Sequence, residues 1–309
     1  MNGWALMHRA SLEEQAALIA LLRTRPGRRS WSELTAMVLE CGSAEAVLDE
    51  LDSVGLFASE EQKAVRSEAL EQAKKWDGEG FEFCTILDGR YPASVREIHQ
   101  APPFLFAAGE LQVDDPAVSV VGSRVASERG LTMARNIAQA LVQRDISVIA
   151  GLALGIDTAA HTATLDAGGR TVALIASGIR KQYPAENGTL HEQIASKGLL
   201  LSQFWPDAPP QKHNFLMRNA TMSGYGLATI VVEAGEHSGA RAQARMAVEH
   251  GRPVILTDLV VNSTAWGTSF IGRPGVTVAS SMDEVTAAVD EIRAQASRID
   301  TILGDLVAV

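Results

Sequence analysis

The residues best suited to chemistry lie in the run Val118-Ser-Val-Val-Gly-Ser-Arg124. β-Branched residues end abruptly at Gly122-Ser123-Arg124 and a helical pattern follows at once, the mark of a buried strand opening into a loop and a helix N-terminus. Gly122 permits a close turn, the next helix presents free N–H groups, and Arg124 sets a planar cationic fork beside them. The implied chemistry is the holding of a phosphate-bearing molecule. Four further segments carry the same residue types. Gly151-Leu-Ala-Leu154-Gly155-Ile-Asp157 brings two glycines that allow close backbone approach, with His161 further on. Ser177-Gly-Ile-Arg180-Lys181-Gln-Tyr183-Pro184 adds two cations and an aromatic face. Lys212-His213-Asn-Phe215 leads into Arg218-Asn219, and Glu233-Ala-Gly-Glu-His-Ser238-Gly239-Ala-Arg241 comes after the next strand.

Each of these residues also has a plain structural role open to it. Asp157 reads first as a helix cap and then as a pocket acid. His161 reads as a core residue, and Arg180-Lys181 as a solvated surface pair. Glu233, at a strand end, is the best acid–base candidate, with a hydrogen-bonding orienter as the equal alternative. Arginine at position 124 breaks the Gly-x-Gly-x-x-Gly fingerprint, which argues against a nicotinamide cofactor, and no Gly-Lys-Ser/Thr phosphate loop occurs.

The elements that must position these loops follow from periodicity. Val/Ile/Leu-rich runs predict strands at 117–121, 146–150, 171–176, 198–202, 228–233 and 253–257. They are continuous rather than alternating, as in a parallel sheet covered on both faces. Helical patterns lie between them at about 127–143, 157–168, 187–197, 213–223 and 238–251. The alternation predicts an α/β chain with a Rossmann-like, doubly wound, mostly parallel sheet, whose ligand sits beyond the carboxyl ends of the strands. Residues 1–75 form the expected helical N-terminal domain, with Ser43 as an N-cap and punctuation at Gly55 and after Phe57. A connector with a short strand at Phe83–Leu87 and the segment Ala101–Phe106 fills 76–116. The core spans 117–280, and a helical tail spans 281–309.

Length and composition bound the class. The chain has 309 residues, 46% of them hydrophobic, enough for one large core or a core with a satellite. No apolar window is long enough for a transmembrane helix, and Met1 to Arg9 lacks the order of a secretory signal, so a cytoplasmic location is expected. Cys41 and Cys84 have no metal-like spacing, and no metal site is expected. The net charge of −10 is uneven: residues 1–100 carry 11 basic and 17 acidic side chains, whereas 101–260 carry 13 and 14. Long-range steering of a polyanion would be weak, while a local basic groove is compatible with this balance.

Several motifs occur in one order and spacing: Val121-Gly-Ser-Arg124, Gly151 to His161, Tyr183-Pro184 with Asn187, Arg218-Asn219, and Val231-Val-Glu-Ala-Gly-Glu-His-Ser-Gly239. Together they resemble the DNA-processing protein A family, also called DprA or Smf. The upstream pieces Asp88–Ile98 and Ala101–Gly109 fit the segment leading into that family's Rossmann-like core, so the resemblance covers roughly residues 76–258. It implies a protein that binds single-stranded DNA, dimerises through the Rossmann-like domain and helps load a RecA-type recombinase, without a cofactor and without catalysis. Carried over residue by residue, Gly122, Ser123 and Arg124 would lie in the DNA pocket, and Arg218-Asn219 match the family's Phe-Pro-x-Arg-Asn-Arg segment. Phosphate contacts are expected from these and from Gly151, Gly155, Arg180, Lys181 and Arg241, with Asp157 and Glu233 as pocket acids. Tyr183 or Phe215 would offer a stacking face, Phe215 more readily a core residue.

The chain departs from the family pattern at three places. Leu154 stands where a cation is usual, Phe215-Leu-Met217-Arg-Asn-Ala220 lacks the proline and the last arginine, and Arg241 adds a cation at an ordinarily apolar position. Fewer phosphate contacts would weaken binding and flatten its salt dependence. Two other readings stay open at this point. One is a nucleotide-binding Rossmann enzyme or sensor, phosphoribohydrolase-like, with Glu233 and Arg124 as its acid–base and phosphate groups. The other is a protein-interaction scaffold built on the helical N-terminus.

Overall fold

The computed structural model describes residues 9–52 and 60–307, without the side chains of 300 and 302–307. The positions Gly55 and Phe57, expected as punctuation, lie outside the described residues.

Four helices come first: α1 (Leu12–Thr24), α2 (Trp31–Cys41), α3 (Ala44–Asp52) and α4 (Glu60–Asp77). Local capping chemistry starts three of them. Ser11 accepts from the Glu14 N–H, Ser30 and Glu33 form a reciprocal capping box, and Ser43 accepts from the Ala46 N–H at 3.1 Å, the cap role expected of it. α1 buries an unbroken run, Gln15 to Leu22, because it lies between α3 and α4. α4 runs on to Asp77, two residues past the expected helical limit.

Nine strands form one sheet: β1 (Glu82–Thr85), β2 (Phe104–Gly109), β3 (Ala117–Val121), β4 (Ser147–Ala150), β5 (Thr171–Ile175), β6 (Leu199–Ser202), β7 (Ala228–Val231), β8 (Val254–Thr257) and β9 (Val276–Ala279). Their order is β1-β2-β6-β5-β4-β3-β7-β8-β9, parallel throughout except where β2 pairs antiparallel with β1 and β6. The six predicted core strands are present within one or two residues of their expected ends. Two strands were not anticipated. β2 lies in what read as connector, because Pro102-Pro103 marks a loop and hides the six-residue strand that begins directly after it. β9 is a four-residue edge strand, too short for a periodic signal.

The crossover helices are α6 (Glu128–Val142), α7 (Ile156–Asp166), α8 (Gly188–Lys197), α9 (Lys212–Tyr225) and α10 (Gly239–Glu249), preceded by the single turn α5 (Ala93–Arg96). Two short helices, α11 (Asp258–Val261) and α12 (Ala265–Phe270), precede β9, and α13 (Met282–Val307) forms the expected helical tail. The chain leaves β3 toward β4 on one side and returns to its other side as β7. That reversal makes the carboxyl ends of β3 and β7 the switch point where a ligand crevice opens.

The N-terminal helices share their core with the antiparallel edge. Trp31 contacts Phe104 and Trp205, and Trp76 packs on Phe83, Phe106 and Trp205, all with ring centroids within 5.8 Å. These aromatics belong to one continuous buried cluster with α1 and the β2, β5 and β6 strands. Among the described residues no helix is long and apolar enough to cross a membrane.

Candidate functional site

A cleft of about 510 Å³ opens at the switch point. Its rim is the loop Gly122–Arg124 after β3, its floor comes from α9, and its far wall is the start of α10 at Ser238 and Gly239. The rim is held on two sides: the Ser123 N–H donates to the Glu233 carbonyl at 2.7 Å, and the Ser123 carbonyl accepts from the Ile156 N–H at 3.1 Å. Arg124 is exposed, and its guanidinium lies 5.3 Å above the Phe215 ring.

Arg218 enters the same cleft from α9, yet only 6% of it is exposed. Its Nη1 donates to the Leu174 carbonyl at 3.0 Å, and its Nε has no partner. Burial pulls its pKa below the usual arginine value; the nearby Asp157 carboxylate opposes that, and Arg124 adds to it. Asp157 lines the cleft as well. Its Oδ2 accepts from the N–H groups of Gly151 at 2.9 Å and Ala153 at 3.3 Å, and burial pushes its pKa up while Arg218 restrains the rise.

The loop between β4 and α7 is built around that carboxylate. Leu152 adopts a left-handed φ of 57°, and Asn187 clamps it by donating to the Leu152 carbonyl at 3.0 Å. Gly151 is required because any Cβ there would occupy the place of the Arg218 guanidinium. Gly155 combines a φ of 79° with close contact to the Ser123 carbonyl. These two glycines therefore seat the loop and Arg218; they do not line the cleft. Gly151→Ala should displace Arg218 and lower affinity for an anionic ligand about tenfold, the worth of one charge-assisted bond. Titration with a labelled oligonucleotide would show it, and unchanged affinity would detach Arg218 from binding.

The cleft brings together Gly122, Ser123, Arg124, Asp157, Arg218 and Asn219 from the expected set. Other expectations are corrected. Glu233 does not line it: its carboxylate turns to α6 and accepts from the Ser127 N–H at 3.1 Å and from Ser127 Oγ at 2.7 Å. It thus takes the orienter role, the alternative that the sequence left open beside acid–base work. Arg180 and Lys181 lie away from the cleft. Arg180 pairs with Glu79 and Asp207 and rests over Phe81, and Lys181 is 3.9 Å from Asp207. Arg241 stands outside the lining, 3.8 Å from Glu236. Phe215, expected in the core, is half-buried in the cleft beneath Arg124, with Tyr183 at 6.1 Å. His161 is a core residue, as its plain reading had it. Gln243 and Met222 also line the cleft and were missed, since both sit on helices whose periodicity marks them only as buried.

A model of the family described as DNA recombination-mediator protein A matches residues 82–290. This chain belongs to that family. The match reaches 290, past the limit of 258 suggested by the motifs, and includes every residue of the cleft. The chain is 39% identical over 178 residues to the protein Smf of Synechocystis and 35% identical over 209 residues to the DNA processing protein DprA of Streptococcus pneumoniae. Those stretches cover 56% and 67% of this chain, and 45% and 74% of the two relatives. The chain spans about half the length of most curated relatives that it matches. Among solved structures, the DprA of S. pneumoniae aligns with a TM-score of 0.70 at 30% identity, covering 91% of this chain and 98% of that one. The DNA processing protein A of Helicobacter pylori, whose structure concerns its single-stranded DNA binding mode, aligns at 0.61 and 20% identity over 68% of this chain and 96% of that one. Both likenesses agree with a Rossmann-like α/β core for this member of the mediator family.

Proposed function

We propose that this chain binds single-stranded DNA through the cleft at the β3–β7 switch point, as a recombination mediator without a catalytic step of its own. One observation carries the reading: two arginines, Arg124 at the rim and Arg218 at the floor beside the buried Asp157, face one cleft in a chain of net charge −10, and among the described residues neither forms a salt bridge. Arginine forks with backbone N–H groups bind phosphate without reading sequence, and the exposed ring of Tyr183 beside Phe215 offers bases a stacking face. The turn of Glu233 toward Ser127 takes the residue assigned to acid–base work in the phosphoribohydrolase reading out of the cleft lining.

The finer elements of the role rest on the family and on surface features. A RecA-type recombinase is the proposed partner in loading. Association of two copies through the core is proposed from the family; Ile271, 52% exposed in the turn between α12 and β9, is an apolar side chain that such an interface could cover. The free cysteines Cys41 and Cys84 suit a cytoplasmic setting.

The reading predicts that a labelled oligothymidine binds with affinity that falls as salt rises, with a log–log slope of roughly 1 to 2 for two phosphate contacts. Thymidine monophosphate should raise the melting temperature only slightly. Strong saturable stabilisation by the mononucleotide, with no binding of the oligonucleotide, would establish the nucleotide-sensor reading instead.

A further inference from the structure

A second concavity, about 400 Å³, lies on the opposite side of α9 from the cleft. Phe215, Arg218, Asn219 and Met222 face the cleft, while Leu216, Met217 and Ala220 face this groove. The other wall is Trp31 and Thr35 of α2, and Met246 and Pro102-Pro103 complete it. Leu216 is 50% and Met217 42% exposed, unusual for adjacent apolar side chains on one helix. Apolar faces therefore line the groove, and His99 and Gln100 stand at its edge.

We infer that this groove receives unstacked bases of the strand whose phosphates occupy the cleft, an assignment that rests on the single-stranded DNA reading. Three features favour bases over other apolar occupants. The groove adjoins the cationic cleft across a single helix, a width of roughly 10 Å that an extended strand spans in a few nucleotides. Lys212 and His213, both exposed on the first turn of α9 and without partners among the described residues, offer an ammonium and an imidazole N–H to the phosphate that crosses. A nucleobase also presents apolar faces and polar edges, which match an indole, a thioether and proline rings rimmed by an imidazole and an amide. The cleft would thus set the position of the backbone, and the groove would add sequence-tolerant affinity through base burial.

The test compares a labelled oligothymidine with an abasic oligonucleotide of the same length. Three proteins are used: wild type, Arg124→Ala, and the double variant Leu216→Ser with Met217→Ser. Both groove positions are exposed, so the fold should survive; equal melting temperatures verify this. The groove variant should bind oligothymidine about tenfold more weakly and the abasic strand as tightly as wild type, with an unchanged salt slope. Arg124→Ala should weaken both ligands. Wild-type affinity for oligothymidine in the groove variant, with Arg124→Ala still impaired, would overturn the groove assignment, leave the cleft reading standing and direct attention to an apolar peptide as the occupant. Full binding by Arg124→Ala would remove the cleft reading and the groove with it.

Discussion

Arg218→Met should weaken oligonucleotide binding by about a hundredfold and also destabilise the fold. The methionine keeps a stem of similar length and loses the charge and the buried Nε, which has no partner among the described residues. A hydrogen bond to a charged group contributes roughly 1.5–3 kcal/mol, and the loss of one phosphate contact should lower the salt slope by about 1. The stability effect has a separate cause. Asp157 is buried next to Arg218, and removing the cation leaves its carboxylate uncompensated, a cost of about 3 kcal/mol. The double variant Arg218→Met with Asp157→Asn separates the two effects. It should recover most of the melting temperature, because the buried charge is gone and the asparagine carbonyl can still accept from Gly151 and Ala153. It should not recover binding. Recovery of both would mean that Arg218 is a structural counter-charge only.

The second large effect is on acid stability and centres on His161. The ring is fully buried on α7, with Nδ1 2.6 Å from Thr171 Oγ1 and Nε2 without a partner. Thr171 Oγ1 itself donates to the Val148 carbonyl at 2.9 Å, so the histidine supplies the proton of the shared bond as a neutral ring. Burial, reinforced by the charge of Arg218, lowers its pKa from 6.5 to about 3. The unfolded chain therefore takes up a proton below pH 6.5 that the native state refuses. Stability is fully present above pH 6.5 and is lost as pH falls toward 3, at roughly 1.4 kcal/mol per pH unit. Between pH 6.5 and 5, where most carboxylates stay ionised, the loss is about 2 kcal/mol, and it approaches about 5 kcal/mol by pH 3. Denaturant unfolding of wild type and His161→Leu across this range tests it. The variant should start less stable and show a flatter profile from pH 6.5 to 5; identical slopes would place the acid sensitivity elsewhere.

How far the fold could be read in advance follows from which forces act locally. Strands β3 to β8 are buried on both faces, so their Val/Ile/Leu runs are unmistakable, and their ends agree with the sequence reading within a residue or two. β2 is different: it lies between β1, some twenty residues before it, and β6, nearly a hundred residues after it, and only the prolines before it are visible locally. The site was legible as a set of loops, since a parallel sheet delivers every strand's carboxyl end to one edge. Its exact membership was not. Arg180 resembles a free cation until Glu79, 101 residues earlier in the chain, is brought against it. Glu233 resembles an acid–base group until the start of α6 folds over its carboxylate. Phe215 resembles a core residue because nothing near it in sequence reveals that Arg124 lies across its face. Arg218, in contrast, was placed by its motif, although its burial with an open Nε belongs to the tertiary structure alone.

The departures from the family pattern also take on a physical meaning. Leu154 is 37% exposed and stands outside the cleft lining, so the cation usual there has no replacement at that point. Met217 and Ala220 turn to the opposite side of α9. On the proposed function, phosphate binding in the cleft would rest on Arg124 and Arg218, a smaller set of cations than the motifs alone suggested.

Arg124 is the exposed member of that pair, and changing it breaks no side-chain hydrogen bond or ion pair among the described residues; its charge acts on the buried Arg218 and Asp157 only through space. Fluorescence anisotropy of a labelled oligothymidine with wild type and Arg124→Ala, across a salt series, therefore tests phosphate binding by the cleft most directly. Wild type should bind in a salt-sensitive manner, and the variant more weakly with a slope smaller by about 1. Equal affinity and equal slope for the two proteins would contradict it and take phosphate binding away from the cleft.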